Sequence, residues 1–199
     1  MTSTLFKSFL TGAKNLHQHQ SVTKKTPVTG LTVGMYRTEL LKKERGFDPK
    51  FWVNQDGELH YRLIKKGYKL LLIPNIKLTQ AKRESLKKLI KQMFRYGRGA
   101  MLRFYKYPKS FPIIQFVPAI FTYYCAFTLI SLINPGIFSK LLLGGLSLYI
   151  LAGIFSTLLV TKNLFYIIVS PIFYLIMHIA YGTGTIVGIF KPQIKTSDR

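Results

Sequence analysis

From Phe111 to Phe190 apolar residues run almost unbroken, with turn-like pauses at Asn134-Pro135-Gly136 and Thr161-Lys162-Asn163. A helix needs about 20 residues to cross about 30 Å of hydrocarbon. The runs therefore predict three transmembrane helices, at 111–133, 137–160 and 164–190. Backbone groups can leave helical pairing at the two pauses only near water or headgroups, so the connections lie at the membrane surfaces.

Before Phe111 the apolar positions follow shorter, mixed periods. "LTVGMY" at 31–36 reads as a short strand, and "RTELLKKERGF" as a short helix with Thr38 as N-cap and Gly46 closing it. In "GELHYRLIKKG" Leu59 and Leu63 share a face, Lys65 and Lys66 occupy the last turn and Gly67 terminates, which predicts a helix over 57–66. "YKLLLIP" follows as a buried strand stopped by Pro74. The segment "ESLKKLIKQMFRYGRGAMLRFYKYP" spaces Leu86, Leu89, Ile90, Met93, Phe94, Met101 and Phe104 helically, with Lys87, Lys88, Lys91, Arg95 and Arg98 mostly on other faces. It predicts a basic amphipathic helix over about 84–106, leading into the first apolar run and suited to lying along headgroups. The expected fold is thus α/β over residues 1–109, with two or three strands, then an α-helical membrane domain over 110–199.

Charge supports this division. The net charge is +22, from 29 Lys and Arg against seven acids. Nucleic acid is the usual partner of so basic a surface, but 24 of the basic residues fall in 1–109, directly before the apolar runs. Charge beside membrane spans is what the positive-inside rule and anionic headgroups produce. The reading is a membrane partner, no nucleic acid, and residues 1–109 in the cytoplasm. Three crossings would leave Lys191, Lys195 and Arg199 outside, which the rule disfavours; a third run kinked at Ser170-Pro171, or lying partly in the interface, would return them inward. Gly182, Gly184 and Gly188 suit close helix packing within the chain, and His178 suits a neutral imidazole bonded to a neighbouring helix. Cys125, the single cysteine, excludes a disulfide framework or Cys-rich metal site. The first 38 residues are acid-free, as in some organelle transit peptides, without the apolar core of a secretory signal.

Two of the seven acids, Asp56 and Glu58, stand two positions apart in "FWVNQDGELHYRL". One reading makes Asp56 the N-cap of the 57–66 helix, with Glu58 in a first turn that favours acids. The other makes Asp56 a general base, since a carboxylate at a strand-to-helix junction points into the cleft at a sheet's edge. The roles are compatible.

The order "RGFDPKFWVNQDGELHYRLIKKGYKLLLIP", then "QMFRYGRG", then membrane helices, resembles the C-terminal half of membrane-attached family 2 glycosyltransferases of the succinoglycan-biosynthesis type. In that family a Gly-Gly-Phe-Asp loop precedes an acidic segment ending in Arg-Leu, and a Gln-x-x-Arg-aromatic element precedes the membrane. The resemblance covers about 28–120 and implies a partial GT-A-like domain, C-terminal half only. It implies that Asp56 is the base on the acceptor hydroxyl, that Glu58 positions or contacts the acceptor, and that Trp52 can stack on a sugar. Arg62-Leu63 match the Arg-Leu end, and Gln92, Arg95 and Tyr96 match a lid over the nucleotide diphosphate and acceptor. The implied setting is a bacterial-type inner membrane, with a nucleotide sugar as donor and a glycan or lipid-linked acceptor.

The sequence departs from the family at three points. Arg45 replaces the first glycine of the loop, Gln55 replaces a Glu before the base, and no Asp-x-Asp occurs. The Mg²⁺ or Mn²⁺ expected for the complete enzyme therefore has no ligands in this chain, which marks it as a fragment or split subunit, with a separate chain as the possible carrier of the nucleotide-binding half. The rival expectation is a non-catalytic, basic membrane-anchored protein that binds anionic lipid or a partner subunit.

Overall fold

A computed structural model describes residues 5, 23–31, 34–51, 53–73 and 85–191. The described residues are mostly helical. Strand β1 (Thr26–Val28) pairs antiparallel with β2 (Leu70–Leu72), with Thr26 opposite Leu72 and Val28 opposite Leu70. Between them lie helices α1 (Thr38–Lys43) and α2 (Gln55–Lys65). Helix α3 (Leu86–Lys106) then leads through two short 3₁₀ turns, Pro108–Ser110 and Ile113–Phe116, to α4 (Val117–Ser131), α5 (Ile137–Leu158) and α6 (Leu164–Phe190).

The N-terminal unit closes over one small core. Leu59 and Leu63 of α2 meet Leu70 of β2, covered by Val28, Leu31, Tyr36, Leu40, Leu41 and Tyr68. Several sequence expectations need correction. Among 31–36, Leu31 and residues 34–36 form no strand; the strand lies earlier, at 26–28, while Thr32 and Val33 fall outside the described residues. Strand β2 is buried only at Leu70, and Leu71 stays 45% exposed because none of the described residues covers the second face of the two-stranded sheet. Pro74 is outside the described residues.

The cap of α1 is Arg37, not Thr38. Its C-terminus is closed as expected by Gly46, whose N–H donates to the Leu41 carbonyl at 2.7 Å. Both Arg45 and Gly46 have φ of 60° there, so Arg45 takes the left-handed conformation that a glycine would hold without strain. Helix α2 likewise begins two residues early, capped by Asn54, which places Asp56 inside the first turn. Gly67, with φ of 86°, ends it.

The three apolar helical segments Ile113–Ser131, Ile137–Leu158 and Leu164–Phe190 are each long enough to cross a membrane. The third is one continuous helix with Pro171 inside it, where Ser170 Oγ donates to the Ile167 carbonyl at 2.9 Å. Tyr149 Oη lies 2.8 Å from His178 Nδ1, so the intramembrane imidazole bonds a neighbouring helix. Lys195 and Arg199 lie outside the described residues.

The apolar side of α3 is turned onto α6. Leu89 and Met93 pack with Leu5, Phe173, Tyr174, Met177 and Ala180, while Ala100 and Met101 pack with Phe111. The glycines explain how close the approach is. A Cβ on Gly97 would sit 2.0 Å from the Tyr181 carbonyl oxygen, and one on Gly184 would sit 2.0 Å from that of Phe94. Both obstacles are rigid backbone, so only glycine fits. Gly188 meets the Arg98 carbonyl and Met101, and Gly182 meets Pro118 of α4. The small-residue series of α6 is thus used inside the chain. Two residues past Gly97, on the other side of α3, a Cβ on Gly99 would lie 3.1 Å from the Val53 side chain. Helix α3 therefore joins the N-terminal unit to the membrane helices.

Candidate active site

Helix α2 carries three stripes at i, i+4 spacing, each with different chemistry. Leu59 and Leu63 face the core. Glu58 and Arg62 form an ion pair, and Asp56 with His60 forms the third stripe.

Glu58 is completely buried. Its carboxylate accepts from Arg62 Nε at 2.8 and 3.0 Å, from Lys106 Nζ at 2.9 Å and from Tyr107 Oη at 2.9 Å. Arg62 also donates to the carbonyl oxygens of Glu44 at 2.7 Å and Gly46 at 2.6 Å. Lys66 pairs with the Glu44 carboxylate, and Lys106 donates to Asp48 at 2.6 Å. This network ties the loop after α1, helix α2 and the C-terminal end of α3 into one piece. Burial works against the charge on Lys106, but its bonds to Asp48, Glu58 and Tyr107 outweigh that and hold it firmly protonated. Burial likewise pushes Asp48 up, yet the Lys106 bond and the Lys50 N–H bring it below the usual carboxylate range.

Asp56 points to a different space. Its Oδ1 accepts from the Gly57 N–H at 2.8 Å. It lines a cleft of about 570 Å³ between α2 and α3, together with Tyr36, Phe47, Asn54 and Gln55 on one wall and Lys88, Lys91, Gln92, Arg95 and Tyr96 on the other. Gln92 Nε2 donates to Tyr96 Oη at 2.7 Å. Of the six expected site residues the cleft brings together Asp56, Gln92, Arg95 and Tyr96. Glu58 is turned away into the buried network, and Trp52 lies outside the described residues.

Sequence reasoning did not single out Lys88, Lys91, Tyr36 or His60 as site residues. The lysines had a legible signal: Lys88, Lys91, Gln92, Arg95 and Tyr96 follow i, i+3, i+4, i+7, i+8, one polar face of α3. His60 had one too, four residues after Asp56, but Tyr36 reaches it only through the fold. Tyr36 Oη lies 2.6 Å from His60 Nε2, and the Leu31 N–H donates to His60 Nδ1 at 3.4 Å. Burial lowers the pKa of His60 and raises that of Tyr36; the Asp56 charge opposes the first shift and adds to the second.

A family model described as glycosyl transferase family group 2 matches residues 1–186, well beyond the stretch around the cleft and through most of the membrane helices. The chain belongs to that family. It is 34% identical over 164 residues to dolichyl N-acetyl-alpha-D-glucosaminyl phosphate 3-beta-D-2,3-diacetamido-2,3-dideoxy-beta-D-glucuronosyltransferase of Methanococcus voltae, a match covering 79% of this chain and 46% of that protein. It is also 34% identical over 84 residues to succinoglycan biosynthesis protein ExoA of Rhizobium meliloti (strain 1021), covering 42% of this chain and 26% of that protein. The chain thus spans less than half the length of these relatives. No solved structure matches it significantly.

Members of this family commonly use a divalent metal, but the cleft of this family member does not fit one. Among the described residues no group of three His, Cys, Asp or Glu side chains converges. Among the described residues lining the cleft Asp56 is the one acid, and it shares the cleft with three cations, Lys88, Lys91 and Arg95. That donor set suits an anionic or hydroxyl-bearing ligand instead, and no catalytic step here is routed through a metal.

Proposed function

We propose that this chain supplies the acceptor side and membrane region of an inverting glycosyltransferase. On this reading residues 1–109 are the C-terminal half of a GT-A-like domain. The enzyme moves a sugar from a nucleotide-sugar donor to a lipid-linked or polysaccharide acceptor, at the cytoplasmic face of a multi-pass inner-membrane protein. The observation that carries the reading is the meeting of Asp56 from α2 with Gln92, Arg95 and Tyr96 from α3 across one cleft. The Methanococcus relative is named for a dolichyl-linked phosphate and the Rhizobium relative for succinoglycan biosynthesis, which supports the acceptor class.

The chemistry follows from these residue types. Asp56, as a carboxylate, accepts the proton of the acceptor hydroxyl while that oxygen attacks the anomeric carbon of the donor sugar. The bond from that carbon to the diphosphate oxygen breaks on the opposite face, so the configuration inverts. Negative charge develops on the departing diphosphate, and Arg95, Lys88 and Lys91 are the groups in the cleft that can stabilise it. Tyr96 offers an aromatic ring to the substrate. Glu58 acts as a positioning residue: its buried bonds to Arg62, Lys106 and Tyr107 hold α2 against the end of α3. On this reading the donor nucleotide and the metal of the complete enzyme would be held in the part of the relatives' length that this chain does not span.

Asp56→Asn is the direct test. In the enzyme complemented with the missing half, sugar transfer should fall by at least about 100-fold, the scale of a lost general base, while membrane insertion survives. Near-normal turnover would sink the assignment.

A further inference from the structure

The pair Tyr36 and His60 is not used by the chemistry above, yet it is built with care beside Asp56. His60 is 1% exposed, and both ring nitrogens are in contact with protein groups. The Leu31 backbone N–H can only donate, so the Nδ1 that receives it carries no proton. A neutral ring then has its hydrogen on Nε2, which donates to Tyr36 Oη at 2.6 Å. Burial, acting against the Asp56 charge, keeps the ring neutral.

That bond decides what Tyr36 can do. Its oxygen is already an acceptor from His60, so its own hydrogen must be offered elsewhere. Burial and the Asp56 charge keep the phenol protonated. The ring stands edge-on to Phe47, at 6.2 Å between centroids and 89° between planes, which fixes its plane at the cleft wall. Gly34, also in the wall, leaves room for the hydroxyl, because a Cβ there would lie 2.7 Å from Oη. The surroundings of Oη on the cleft side therefore contain Asp56 and whatever the cleft binds.

We propose that Tyr36 is an acceptor-binding residue, its hydroxyl held by His60 as a hydrogen-bond donor to a saccharide oxygen next to the hydroxyl that faces Asp56. His60 is a positioning residue that acts through Tyr36. The inference rests on the saccharide reading of the cleft. It identifies the ligand feature that is read: an oxygen able to accept a hydrogen bond, one position from the reacting hydroxyl.

Two measurements on the full chain in lipid nanodiscs test it. The first is nitrogen NMR of ¹⁵N-histidine-labelled protein, with the His60 signals identified by their loss in His60→Gln. A neutral ring with its proton on Nε2 at neutral pH is expected; a proton on Nδ1, or an imidazolium, would overturn the donor assignment. The second is saturation transfer from the chain to methyl β-D-glucoside and to N-acetylglucosamine. Tyr36→Phe and His60→Leu should each weaken binding by about fivefold, the worth of one neutral hydrogen bond. His60→Gln should restore it to within about twofold, since an amide can accept from Leu31 and donate to Tyr36. Binding in Tyr36→Phe equal to that of the unaltered chain would overturn the inference, as would no saturation of either sugar by the unaltered chain. The base assignment fails separately. Retained transfer in Asp56→Asn leaves the NMR and binding comparison standing, whereas lost transfer there with full binding in Tyr36→Phe sinks this inference alone.

Discussion

The two sides of α3 are held by different physics. Toward α6 it is fixed by shape: Gly97 and Gly184 let backbone meet backbone, and Leu89, Met93 and Met101 fill the seam. Toward α2 it is fixed by charge, through Lys106 and the buried Glu58, with the cleft opening above. Shape fits one arrangement and tolerates no added atom. A charged network tolerates small shifts but fails when one partner is removed, because the other is left buried and uncompensated. A site built on the second side of a helix whose first side is locked can adjust to a ligand while keeping its place against α6.

The comparison breaks most severely at Gly97. A leucine there would drive its Cβ into the Tyr181 carbonyl. Overpacking costs about 1–3 kcal/mol where side chains can yield, and here rigid backbone is in the way, so undocking of α3 from α6 is expected. Hydrogen exchange should rise along both helices while α2 keeps its protection around Leu59 and Leu63. Unchanged exchange in α6 would refute the locked seam.

Glu58→Ala attacks the other side. Removing one partner of a buried ionic network costs about 3–5 kcal/mol, and the partial exposure of Arg62 and Lys106 reduces this to about 2 kcal/mol. The loss should appear in denaturant unfolding, as faster exchange at 44–51 and 55–65, with the α3–α6 seam still protected.

Acid gives a smaller effect on the same side. Asp48 is held below the usual carboxylate range in the folded chain. The unfolded chain therefore binds the proton first, and the stabilisation, full at neutral pH, is lost as pH falls below about 4. Loop 44–51 should loosen over that window, and Lys106→Met should flatten the dependence. A loop that loosens equally in both proteins would detach Asp48 from the network.

Much of this architecture was legible in the sequence wherever local pattern and final packing agree. The three spans, α3, and α2 with Leu59, Leu63 and Gly67 follow from periodicity and termination signals. Strand β1 did not, because "TPV" has no alternation and a proline at its centre; it pairs only because Leu70–Leu72 offers an edge. The caps slipped because Asn54 and Arg37 hold the capping positions without side-chain bonds, where Asp56 and Thr38 had the better chemistry. For the site, family resemblance supplied Asp56, Gln92, Arg95 and Tyr96, but nothing local said that they meet. The burial of Glu58 was invisible, since its partners Lys106 and Tyr107 lie at the far end of another helix.

The central claim is that neighbouring acids divide the work, Asp56 reacting and Glu58 holding. Transfer rate per folded molecule of the complemented enzyme, measured for Asp56→Asn and Glu58→Gln alongside the unfolding midpoints of the chain, tests it most directly. The account predicts a rate lowered at least about 100-fold with little change in midpoint for Asp56→Asn. For Glu58→Gln it predicts a lowered midpoint with a rate within about threefold of the unaltered chain, since the amide keeps the shape and loses the charge. A Glu58→Gln protein that folds normally and cannot transfer, beside an Asp56→Asn protein that can, would contradict it.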